Sequence, residues 1–239
     1  AQQTQGGTLS LLADVNLVQH AYVNSGTFTL DLNGHTLTSG DYNTLVVGDG
    51  SVTIQDSKGG VISSTISDGR AVLCCGGNVT ILGGSFPSAL YWESGTVSLR
   101  GGAFRSLDSE VGSWLSAIPE GKALEKKDDH SVVDASANTI STDTGFYVLA
   151  DHEKHDWRAG KCACGREHTD HTWKDGECTV CHLPCSHGEI GGDGVCETCG
   201  TRFAAKANRT YYKHLSDALA SENVDDVTLV ADDTLSADV

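Results

Sequence analysis

Apolar positions in the first hundred residues recur with period 2, in short bursts separated by glycine. Val52-x-Ile54, Val79-x-Ile81 and Val97-x-Leu99 are three such bursts. This alternation sends each apolar pair to one face of a β-strand. The bursts are also copies of one another. "AVLCCGGNVTILGGSF" (71–86) overlies "ALYWESGTVSLRGGAF" (89–104) at an offset of 18, so that Gly77 meets Gly95, Val79 meets Val97, Ile81 meets Leu99 and Phe86 meets Phe104. "TLVVGDGSVTIQD" (44–56) joins the frame at an offset of 27, and "GTFTLDLNGHTL" (26–37) makes a fourth copy. One strand of this length cannot bury its apolar face alone. Parallel stacking of copies puts like over like and builds continuous apolar columns, with glycine at the corners. The spacing predicts a short right-handed parallel β-helix over residues 1–107. An antiparallel sandwich is the competing architecture, disfavoured because sandwiches rarely repeat sequence at a fixed offset.

Such a solenoid needs its end covered. "LDSEVGSWLSAI" (107–118) sets Val111, Trp114, Leu115 and Ile118 at helical spacing ahead of "PEG", which predicts a cap helix with Trp114 buried in it. "ALEKKDDHSVVDASANTI" and "GFYVLAD" predict two or three strands completing a helix-and-strand cap over 108–150.

The periodicity stops near residue 150, and cysteine takes over. Seven of the nine cysteines fall between Cys162 and Cys199, in another repeat. "HEKHDWRAGKCAC" (152–164) overlies "HTDHTWKDGECTVC" (168–181) at an offset of 16, and "CSHGEIGGDGVCETC" (185–199) is a looser third copy. The candidate ligands are His152, His155, Cys162 and Cys164 in the first copy. They are His168, His171, Cys178 and Cys181 in the second, and Cys185, His187, Cys196 and Cys199 in the third. Four nitrogen and sulfur donors per copy suit structural, tetrahedral zinc, about three ions per chain. The expected architecture is therefore mainly β: the β-helix and its cap, then a tandem zinc-ribbon-like domain of three modules over 151–201. A disulfide framework would leave one of the seven thiols over and give the histidines no role. A catalytic ion is disfavoured, because no copy leaves an open position or carries H-E-x-x-H. The first copy has C-x-C where the others have C-x-x-C, which implies a weaker site or help from a neighbour such as His182. Trp157 and Trp173 are expected to shield their knuckles. Cys74 and Cys75 are expected to pack as small apolar groups.

Charge narrows the function. The net charge of −16 offers no footprint for phosphate, so nucleic acid and anionic membrane surfaces are not expected partners. No apolar run approaches the roughly 20 residues of a membrane span, so no membrane insertion is expected. The chain has no methionine and no signal peptide pattern, which suggests a piece of a longer protein. The tail supports that expectation. "DVTLVADDTLSADV" (226–239) resembles "TLSLLADVNLVQHAYV" (8–23) at an offset of 218: Leu11 meets Leu229, Ala13 meets Ala231, Asp14 meets Asp232 and Leu17 meets Leu235. Residues 202–239 are thus expected to hold a linker helix, "HLSDALASE", and the start of another β-helix repeat. End-to-end self-association through this segment is a further expectation.

The phrases "TLDLNGHTLT", "VTIQDSKGG", "VTILGGSF" and "HTWKDGECTVCH" resemble those of repeat-containing surface proteins of gut Firmicutes, in which parallel β-helix modules alternate with H-x-W…C-x-x-C zinc ribbons. That resemblance implies an exported, wall-associated protein at the bacterial cell surface, with an adhesive or display role toward host glycoprotein, immunoglobulin or mucosal glycan. A pure spacer in a surface stalk is the second reading. A polysaccharide-degrading β-helix enzyme is the third. It would need clustered carboxylates; Asp31, Asp49 and Asp56 are the nearest, and their settings suit turns better, so the chain is read as a non-enzyme. Tyr91 and Trp92 in "LYWES" interrupt a small-residue pattern. One of the two should face solvent; the outward ring either packs on the cap helix or contacts protein or sugar, which makes the pair the candidate ligand-binding residues.

Overall fold

The computed structural model describes residues 6–221 and 226–232. Contacts divide the chain into one unit of residues 1–155 with 163–166 and a second of residues 156–162 with 167–239.

The first unit is a parallel β-helix. Its first coil is β1 (Gly7–Ser10), β2 (Val15–Leu17) and β3 (Ala21–Val23). The second is β4 (Thr27–Asp31), β5 (Thr36–Ser39) and β6 (Asn43–Val47). The third starts with β7 (Ser51–Gln55) and β8 (Val61–Ser64), then runs into β9 (Arg70–Ile81). That long strand pairs with β6 through its first half and with β7 through its second, so it turns a corner without a break. β10 (Ser85–Phe86), β11 (Ala89–Leu99), β12 (Ala103–Phe104) and β13 (Ser106–Ser109) complete the stack.

Register explains why the repeat copies differ in length. Leu9, Leu30, Ile54, Ile81 and Leu99 stand one above another, in steps of 21, 24, 27 and 18 residues. Phe28, Val52, Val79 and Val97 form a second column. Leu45, Val72, Leu90 and Leu107 form a third, on another face. The insertions sit in corners, and the strand positions stay aligned. Phe86 and Phe104 stack with centroids 5.3 Å apart. Ile54, Ile62, Ile81, Leu90, Leu99 and Leu107 are fully buried, each worth about 1.5–3 kcal/mol of apolar burial. Cys74 is buried in the column between Val47 and Trp92, and burial pushes its thiol up; Cys75 is half-buried.

The end of the stack departs from expectation. Residues 107–109 finish β13, and only Trp114–Ala117 is helical, as one 3-10 turn. Gly112 at φ 140° and the extended Ser113 break the run before it starts, and Ile118 is extended after it. Val111 is exposed. Trp114 does reach the core: it is fully buried, 5.5 Å from the Trp92 ring, and its Nε1 donates to the Asn138 carbonyl. Four strands close the cap: β14 (Lys122–Lys126), β15 (Val132–Val133), β16 (Thr139–Ser141) and β17 (Tyr147–Asp151). β16 runs antiparallel to β13, and β17 antiparallel to β12, which ends the parallel ladder on both sheets.

The second unit holds two short hairpins, β18 (Trp157–Arg158) with β19 (Lys161–Cys162) and β20 (Trp173–Lys174) with β21 (Glu177–Cys178). An antiparallel sheet follows, of β22 (Ala205–Ala207), β23 (Thr210–Tyr212) and β24 (Val227–Leu229), in the order β23-β22-β24. α1 (Leu215–Leu219) packs on it through buried Ala218. The predicted match at Leu235 lies outside the described residues.

Glycines at the corners let the coils approach backbone to backbone. A Cβ at Gly95 would stand 2.2 Å from the Gly77 carbonyl oxygen, and Gly95 sits at φ 80°. A Cβ at Gly40 meets nothing within 4 Å. Gly95→Ala is therefore expected to destabilise the protein by about 2–4 kcal/mol, and Gly40→Ala by under about 1 kcal/mol. Thermal unfolding of the two variants beside the parent checks this.

Candidate metal centres

The first two modules are built on the same turn. The β18–β19 hairpin closes through Ala159 and Gly160, and the β20–β21 hairpin through Asp175 and Gly176, all four at positive φ. Two consecutive positive φ angles fit the turn that matches strand twist in two-residue hairpins, and Asp-Gly is a favoured pair for it. Ala159 adopts the same conformation at a cost of about 1 kcal/mol. The turn puts Trp157 opposite Cys162 and Trp173 opposite Cys178. The third module has a looser loop, with Ile190 bridged to Cys196 and Gly194 at φ 74°.

The knuckle after each hairpin ends in a residue of left-handed conformation: Gly165 in the first copy, His182 in the second, Gly200 in the third. In the two C-x-x-C copies that residue's N–H returns to the first cysteine's carbonyl, His182 to Cys178 at 3.0 Å and Gly200 to Cys196 at 2.8 Å. This closes a tight loop with both sulfurs on its inner side. His182 thus has a backbone role, and its Nδ1 pairs with Glu177 at 2.7 Å; it does not join the first set.

Three sets of donor atoms converge: His152, His155, Cys162 and Cys164; His168, His171, Cys178 and Cys181; Cys185, His187, Cys196 and Cys199. Within each set all donor atoms lie within 4.8 Å of one another. Individual distances follow the edges of a tetrahedron. A central ion with nitrogen at about 2.0–2.1 Å and sulfur at about 2.3 Å sets N–N edges near about 3.4 Å, N–S near about 3.5 Å and S–S near about 3.8 Å. The His168 and His171 Nδ1 atoms are 3.4 Å apart. Cys181 Sγ lies 3.3 Å from His171 Nδ1, Cys199 Sγ 3.3 Å from His187 Nδ1, and Cys164 Sγ 3.6 Å from His155 Nδ1. Cys185 and Cys196 Sγ are 3.9 Å apart, far too long for a disulfide. The donors therefore fit four-coordinate ions, and no cysteine of the described residues is disulfide-bonded.

Local electrostatics prepare these donors. Burial opposes ionisation of Cys178, but backbone N–H groups at Cys181 and Val180 and the His171 ring outweigh it and bring the thiol down to about 6. Cys181 moves up, through burial and the neighbouring Cys178 sulfur. In the third set, burial opposes ionisation of Cys196, whereas His187 and the Cys199 N–H favour it, and the thiol falls below its ordinary value. Burial, His152 and the Arg166 cation hold His155 below the usual imidazole range, in the neutral form a ligand needs.

Aromatic rings flank the donors. Trp173 tilts against His171 at 5.1 Å, Trp157 meets His168 edge-on at 5.2 Å, and Phe203 meets His187 at 4.9 Å. The sequence repeat points to the two tryptophans. It does not point to Phe203, which follows the last cysteine and meets His187 edge-on.

The candidate ligand-binding pair separates. Trp92 faces the core and is buried, its Nε1 donating to the Gly95 carbonyl, so it is removed from any surface role. Tyr91 faces outward. The Arg70 guanidinium lies 3.5 Å over its ring, and its hydroxyl donates to Glu110. The hydrogen bond to Glu110 raises the phenol above its ordinary value. The other carboxylates serve turns: Asp56 accepts from the N–H groups of Gly34, Lys58, Gly59 and Gly60, and Asp31 from that of Asn33.

Comparisons with protein-family models, with curated proteins and with solved structures give no match.

Removal of one thiolate tests the second centre. Cys178→Ser is expected to lower the bound metal from three equivalents per chain to two and leave the β-helix melting unchanged, as read by elemental analysis and calorimetry.

Proposed function

We propose that this chain is a non-catalytic binding module of a bacterial cell-surface repeat protein, stapled by structural zinc. Zinc is the ion of choice for Cys/His tetrahedra with no vacant position. Two His₂Cys₂ sets and one HisCys₃ set supply such donors without an open coordination site for a substrate. The resemblance of the repeat phrases to surface proteins of gut Firmicutes supports an extracellular role toward host glycoprotein, immunoglobulin or mucosal glycan.

The observation that carries the binding role is the Arg70–Tyr91–Glu110 group. It is an aromatic ring held between a cation and a carboxylate on the outer face of a rigid sheet, with Tyr42 5.3 Å from the same guanidinium. Such a patch offers an aromatic edge and both signs of hydrogen-bonding charge, and it needs little ordering on contact. The rest of the solenoid serves as its scaffold.

Capture from serum and mucus on the immobilised protein tests the reading. The parent is expected to retain a specific host component, and Tyr91→Ala/Arg70→Ala is expected to lose it at least tenfold. Capture of nothing supports a spacer, and equal capture by the double variant removes this patch. Elemental analysis is expected to give close to three zinc per chain.

A further inference from the structure

The first coil is an unfinished surface. Among the described residues, β1, β2 and β3 have parallel partners on one side only. Leu9 is 55% exposed, Tyr22 53% and Val18 92%. A cavity of about 410 Å³, lined by Leu9, Leu11, Val15, Leu17 and Phe28 among others, opens at this end of the column. The opposite end is closed by antiparallel strands and Trp114. Unpaired strand edges over exposed apolar side chains call for a partner.

The second unit displays the complementary face, with a strand of matching sequence already seated on it. β24 lies antiparallel to β22, with Ala205 opposite Leu229 and Ala207 opposite Val227, and the Val230 N–H donates to the Ala204 carbonyl. Its segment, Val-Thr-Leu-Val-Ala-Asp (227–232), has its counterpart in Leu-Ser-Leu-Leu-Ala-Asp (9–14), the segment that runs from β1 into the first corner. β22 and α1 therefore form a seat for a strand of this pattern, and β1 presents that pattern with one edge unpaired.

Charge favours the same match. Residues 201–213 carry Arg202, Lys206, Arg209 and Lys213 and no acid. Residues 6–57 carry Asp14, Asp31, Asp41, Asp49 and Asp56 and no Lys, Arg or Glu. The two segments thus carry opposite charge, and their attraction speeds encounter of the two faces.

We infer that the open coil of one molecule docks on the β22–α1 face of a second copy, β1 taking the place that β24 holds in the free chain. This contact is independent of the Arg70–Tyr91–Glu110 patch. It joins two different surfaces, head to tail, so it extends into chains instead of closing as a symmetric dimer. β24 acts as a place-holder, and loosening it strengthens the contact.

Sedimentation equilibrium of the full, metal-loaded chain tests this. The average mass is expected to rise above 25.1 kDa continuously with concentration up to about 0.5 mM, and to fall when salt rises to about 0.5 M. Leu9→Lys at the head and Arg209→Glu/Lys213→Glu at the tail are each expected to weaken association at least tenfold. Should Leu9→Lys fail to fold, Val18→Lys at the same end replaces it. An equimolar mixture of the head and tail variants is expected to form a 1:1 dimer that grows no further. Val230→Pro, which removes the donor to Ala204, is expected to tighten association several-fold. A parent that stays at monomer mass throughout overturns the inference, as does a folded head variant that associates as the parent does.

Discussion

The interaction on which this protein depends is the stacking of one apolar side chain on its counterpart a coil later, held in register by parallel ladders. Leu9, Leu30, Ile54, Ile81 and Leu99 form one such column, and Leu45, Val72, Leu90 and Leu107 another. No coil has a core of its own. Each buries its apolar pairs only because neighbours lie above and below, so stability is a sum of contacts between neighbours. The glycine corners follow from that requirement: Gly77 and Gly95 let one backbone rest on the next where a methyl group would collide. So does the abrupt change of strand direction at β16 and β17, which ends the ladder while Trp114 covers the last layer.

The Cys/His region solves the same problem by other means. Its hairpins are two residues a side and cannot enclose a core. Convergent donors stand where a core would, with Trp157 and Trp173 against the histidines of the second set and Phe203, Ile190, Tyr211 and Val230 around the third. Two physical regimes are thus open to one chain: cumulative van der Waals and hydrophobic contact in the solenoid, and donor sets that could hold an ion in the modules. The proposed role is presentation of a surface.

Much of this was legible in the sequence because both halves repeat. The offsets of 18 and 27 are the coil steps of the structure, since register demands that matched residues lie over one another. The ligand sets were legible for the same reason: three copies of one loop must place their donors alike. The failures lie where the chain does not repeat. Val111, Trp114, Leu115 and Ile118 have helical spacing, yet Gly112 and the short distance to Pro119 leave room for one 3-10 turn. Alternation showed that one of Tyr91 and Trp92 faces outward. It could not show which, because that depends on Trp92 finding Trp114 beneath it. Arg70 as the partner of Tyr91 comes from a neighbouring coil and has no local signature.

The central claim is that coil stacking holds the solenoid without help from the ions, whereas the Cys/His modules exist only with them. Hydrogen exchange of the backbone amides, followed by mass spectrometry with and without a strong chelator, tests it most directly. The account predicts that chelation abolishes protection in residues 167–203 and leaves the amides of residues 27–104 as slow as before. Loss of protection in both regions together, or unchanged protection of the modules after the metal is gone, would contradict it.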